Sequence, residues 1–235
     1  MVKVNMTLMI FLFCISCRRE VKEDYNFSNS YVNYPDSTFF SFKMDSLFVS
    51  LKLDSLNVKD FMGYSQNKPL SEAFVRYIEP KEFNRMEIDT SRIDYKWLNY
   101  YACGKLNLKH GVTGYLVLRK SPNVIVRDWF YNLILLNVKN NNLKSMIIAS
   151  YNGGTFPEIT MQKTYINHAD YRFLITNIAA DGIDGNDHTI DDFWSKIGLL
   201  KPKKLKYYYT SFTLDENGFV KSIPLDEDKF PAYLK

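Results

Sequence analysis

The chain has 235 residues, 46% of them apolar and 24% charged, with a net charge of +4. These values describe a globular protein with a real core, not a disordered or collagen-like chain. The small charge excludes the footprint of a nucleic-acid binder, and an aromatic fraction of 16% with 17 Tyr and 17 Phe leans toward sheet.

At the N-terminus, Lys3 precedes the apolar stretch Thr7–Ile15, "TLMIFLFCI". A spanning helix needs about 20 apolar residues, so this stretch is too short. A positive start, a short apolar run and a small residue before a cut are the parts of an export signal. Ser16 is that small residue, and Cys17 follows it. Residues 1–20 resemble the signal of bacterial lipoproteins, in which the cut falls before a cysteine whose sulfur carries a diacylglyceryl group. The resemblance departs at Cys14, where that family usually has Leu. Bulky Phe13 makes Cys14 the poorer acceptor.

The resemblance implies that residues 1–16 are removed and that Cys17 carries lipid, palmitate-type chains included. Two or three acyl chains anchor a protein stably where one holds weakly. Arg18, where an inner-membrane retention signal has Asp, implies the outer membrane. An ordinary signal peptide and an internal strand are the competing readings. Residues 17–33 read as a polar tether, and residues 34–235 as a single β-rich domain. A lipidated Cys17 leaves Cys103 without an intrachain partner, so no disulfide framework is expected. Cys103 reads as a small buried apolar residue.

The near-repeats "DSTFFSFKM", "DSLFVSLKL" and "DSLNVKDFM" start at Asp36, Asp45 and Asp54. The first two alternate apolar and polar residues, the period of half-buried strands. Turns at the Asp-Ser pairs reset the phase, which predicts a hairpin. The triplets also look like an O-glycan acceptor signal of some exported proteins, although turn chemistry explains them. Pro69–Ile78 predicts a short helix capped by Ser71 and ended by Pro80, with Phe74, Tyr77 and Ile78 on one face.

From Lys105 onward, short apolar runs alternate with turn signals such as "HGV", "KNNN", "NGGTFP", "NHA" and "DENG". The expected fold is α+β or mainly β: one curved antiparallel meander sheet with few short helices.

The segment "DGIDGNDHTIDD" places Asp181, Asp184 and Asp187 at every third residue. Carboxylates on a bending loop suit a hard cation such as Ca²⁺, but the spacing is not that of an EF-hand. A solvated turn before a helix is the plainer reading. His110 and His168 fall in turns, where histidine is often simply polar. His188 lies beside Asp187. The four lysines of "KPKKLK" (201–206) suit either an anionic partner or the guarding of a strand edge. Trp97, Tyr207 and Tyr209 are candidates for a ligand surface, weighed against burial in the core. No nucleophile elbow, P-loop or dinucleotide glycine run is present.

The expectation is therefore an exported, lipid-anchored envelope protein with a non-catalytic binding or accessory role and an unidentified protein or glycan partner. The alternatives are a carrier of an apolar ligand, an envelope or glycan hydrolase, and an inhibitor or immunity-type protein.

Overall fold

The computed structural model describes residues 31–39, 45–84, 98–123, 128–155, 158–169, 171–181 and 205–224. The protein is a curved, antiparallel sheet, as expected from the sequence. Its strands are β1 (Tyr31–Phe39), β2 (Ser55–Leu56), β3 (Asn99–Asn107), β4 (Thr113–Asn123), β5 (Asp128–Lys139), β6 (Asn142–Thr155), β7 (Glu158–Asn167), β8 (Arg172–Asp181), β9 (Leu205–Leu214) and β10 (Val220–Ile223). From β3 to β10 each strand pairs with the next in sequence. Among the described residues no helix is long and apolar enough to cross a membrane.

The central strands are buried on both faces, which explains why "YLVL" and "LILL" read as continuous apolar runs. On β4, Leu116 and Leu118 face one core while Tyr115 and Val117 face another. The first core is completed by Phe173, Ile175, Phe212 and Leu214 of β8 and β9. A 3₁₀ segment, Val58–Gln66, packs onto the same core with Val58 and Phe61. The second core is covered by α1 (Glu72–Asn84) through Phe74, Val75 and Ile78. Cys103 is buried in the first core, and burial pushes its thiol up to about 12.

Helix α1 corrects one expectation. Ser71 Oγ does accept from the Phe74 N–H, at 3.4 Å, but the helix passes through Pro80 to Asn84. Tertiary contacts just before Pro80 offset the missing amide. Glu79 is fully buried, and its Oε1 accepts from Tyr100 Oη at 2.7 Å and from Arg119 Nε at 2.6 Å. Arg119 Nη1 also donates to Ser121 Oγ at 3.1 Å.

The hairpin expected over residues 36–53 does not form among the described residues. β1 pairs with β6 instead, and three residues of the expected tether, Tyr31 to Asn33, lie in it. Residues 49–51 run parallel to β3 at its outer edge, and β2 pairs with β7. Residues 40–44 lie outside the described set. Local alternation identified extended chain but not its partners, which are far away in sequence.

β6 forks the sheet. Its first half pairs with β1 and its second half, from Tyr151 onward, with β7. At the fork the backbone ladder is replaced by side chains. Gln162 Nε2 donates to the Ile148 carbonyl, Thr164 Oγ1 to the Ala149 carbonyl and Ser150 Oγ to the Gln162 carbonyl. These are the bonds that keep buried carbonyls satisfied where two strands part. The β1 branch curls back to β10: Asn33 Nδ2 donates to the Val220 carbonyl, and the Val220 N–H donates to Asn33 Oδ1, both at 2.8 Å.

Candidate functional site

The meander has two unlike ends. At one end the strands are joined by tight turns at 108–112, 140–141 and 215–219, and turn residues 168, 169 and 171 lie between β7 and β8. At the other, strand ends lead into residues 85–97, 124–127, 156–157 and 182–204, which lie outside the described set.

A cleft of about 250 Å³ opens at the tight-turn end, lined by Leu51, Lys52, Leu106, Asn107, Leu108, Ile166, His168 and Tyr171. Three pieces of chain build it. The first is the 49–51 segment, which lies on β3 because Gly104 has no side chain: a Cβ there would meet Leu51 Cδ1 at 2.2 Å. The Lys105 N–H donates to the Val49 carbonyl at 2.9 Å, and the Leu51 N–H donates to the Lys105 carbonyl at 2.8 Å. The chain then swings away to β7, where the Ile166 N–H donates to the Asp54 carbonyl at 2.9 Å. The second piece is the end of β3, which keeps its direction, so a slot opens between it and residues 51–52. The third is the β7–β8 hairpin, which closes the far wall.

The floor is aliphatic and the rim is polar. His168 clamps two of the pieces together. Its Nε2 lies 2.9 Å from the Leu53 carbonyl and 3.2 Å from Asp54 Oδ1. Its ring stands edge-on to Tyr171, with 6.2 Å between centroids. The hairpin is fixed further by the Ala169 N–H, which donates to Asn167 Oδ1 at 3.0 Å. Tyr171 has φ +50°, a conformation that costs an L-residue about 1–2 kcal/mol, and it packs against the first core. Lys52 is exposed and has no ion-pair partner among the described residues. The polar groups are therefore a cation, an amide, a phenol and an imidazole already engaged by the fold. This set can bind and orient, and its histidine is committed to holding the walls.

The sequence-derived candidates lie elsewhere. Tyr207 and Tyr209 share one face of β9, near the opposite end, and Tyr207 is 49% exposed. Asp181 ends β8 and pairs in register with Glu158. Cys17, Trp97, Asp184 and Asp187 lie outside the described residues, as do His188 and the lysines at 201–204. Among the described residues no three His, Cys, Asp or Glu side chains converge on a possible metal position. Sequence reading missed the cleft because its walls come from residues 51–52, 106–108 and 166–171. The available signal was Gly104 inside an aromatic strand, which marks a close backbone approach.

The chain matches no protein-family model, no curated protein and no solved structure.

Proposed function

We propose that this protein is an exported, lipid-anchored component of the cell envelope that works as a non-catalytic binding module. The observation that carries the binding role is the cleft, which sets a few polar groups around an apolar floor on rigid hairpins, the usual build of a recognition site. The lipid anchor is supported by the order of the N-terminal segment: positive start, short apolar run, Ser16, Cys17, then polar chain up to β1. The chain between Cys17 and Tyr31 reaches at most about 50 Å when extended. The domain therefore works close to the membrane face, with the outer membrane favoured by Arg18. Val58 and Phe61 are packed into the first core on one face of the sheet and α1 covers the second core on the other, which favours recognition at an end of the sheet over carriage of a ligand inside it.

Replacing Cys17 by Ala and fractionating the cells tests the anchor. The expected outcome is loss of the protein from the membrane fraction. Unchanged sedimentation with membranes contradicts it.

A further inference from the structure

The cleft begins where a hydrogen-bond ladder stops. Lys105 points its N–H and C=O outward from β3, and both are paired with the 49–51 segment. Asn107, two residues further on, presents its backbone in the same direction, because outward-facing groups alternate along an antiparallel strand. The partner chain has by then left for β7. Asn107 is exposed, and its outward N–H and C=O face the cleft without a partner among the described residues. An open pair of this kind is a start point for strand addition.

Three further features select the occupant. The cleft's volume of about 250 Å³ falls below the roughly 300–1,000 Å³ of small-molecule sites, and it suits one side chain with its adjoining backbone. The floor of Leu51, Leu106, Leu108 and Ile166 calls for an aliphatic group. At the rim, His168 Nε2 is held 3.2 Å from Asp54 Oδ1, and Lys52 is the lysine that lines the cleft.

We propose that the cleft receives an extended peptide that continues the sheet beyond Lys105. Its backbone pairs with the N–H and C=O of Asn107, one aliphatic side chain lies on the floor, and a neighbouring carboxylate meets Lys52. This assignment rests on the cleft being the binding site, and it names the class of partner.

The test is a titration of the full chain, followed through its backbone amide spectrum. The probe is Ac-Thr-Leu-Asp-Val-NH₂, compared with Ac-Thr-Leu-Lys-Val-NH₂, decanoate and chitotriose. The acidic peptide is expected to give saturable shifts confined to residues 51–53, 106–108 and 166–171. Binding should be about tenfold weaker for the lysine peptide and for the Lys52→Glu variant. It should be lost for Asn107→Pro, which removes an N–H that the fold does not use. If Asn107→Pro fails to fold, an acidic peptide N-methylated at leucine replaces that arm and is expected not to bind. The proposal is overturned if the acidic peptide gives no saturable shift up to several millimolar. It is equally overturned if peptide binding ignores Lys52→Glu and both changes to the backbone pairing. Shifts in the same amides from decanoate or chitotriose alone overturn the peptide and leave the cleft as a binding site. No shift from any probe overturns both.

Discussion

The turns and the strand interiors of the sheet handle polar groups in opposite ways. At the tight-turn end, the turns satisfy themselves. Asp215 Oδ1 accepts from the N–H groups of Asn217 and Phe219, both at 2.9 Å, and Ser145 Oγ donates to the Gly218 carbonyl at 2.9 Å. The described residues with positive φ, His110, Gly111, Asn140, Asn141, Tyr171 and Gly218, all lie in these turns. Within the strands, buried polar atoms lack partners among the described residues: both amide atoms of Asn177, the hydroxyls of Thr176 and Ser211, and Asn137 Oδ1. A buried group left without a partner costs about 1–3 kcal/mol. The difference teaches where precision resides. Turns that satisfy their own backbones can hold a cleft to a fixed shape, whereas the strand interiors hold polar atoms whose burial must be offset by the packing around them.

Three substitutions break or sharpen this contrast. The largest effect is expected from Glu79→Ala. It takes the carboxylate away from the buried Arg119 guanidinium and removes the acceptor of Tyr100 Oη, so unfolding should become easier by about 3–5 kcal/mol. Urea unfolding followed by circular dichroism measures it, and a change below 1 kcal/mol would show that α1 is held by its apolar face alone. Next comes Gly104→Ala. The new methyl group collides with Leu51, and overpacking of this kind costs about 1–3 kcal/mol. Because Leu51 is a wall of the cleft, amide shifts should reach residues 51–53 and 106–108 while the far end stays unchanged. The smallest effect is expected from Asn177→Leu. It removes an amide with no partner, so stability should rise by about 1 kcal/mol. A fall of similar size would show that the amide is engaged, and the contrast between turns and strand interiors would weaken.

The sequence revealed the meander and missed its closures. "LKYYYTSFTL" and "DENGFVKSI" read as β9, turn and β10 because their alternation and turn residues are local. The fork in β6 was not legible, because it depends on Gln162 and Thr164 reaching carbonyls on another strand. Of the segment from Asp36 to Leu53, residues 36–39 are extended as the alternation predicts, but they pair elsewhere. Thr38 and Phe39 pair with Leu143 and Asn142 and Ser50 with Lys105, and nothing in an alternating pattern encodes those numbers. Pro80 read as a helix stop because its cost is local, whereas the ion pair that offsets it joins residues far apart. His168 read as an ordinary turn residue. It does sit in a turn, and its ring gains a further task only once residues 53–54 come alongside.

The claim that binding takes place at the tight-turn end is tested most directly by photocrosslinking in intact cells. A photoreactive amino acid is placed at Lys52 in one strain and at Tyr207 in another, and the adducts are sequenced by mass spectrometry. The account predicts a peptide adduct from position 52 and none from position 207. Adducts from position 207 alone would contradict it and move the working surface to the opposite end of the sheet.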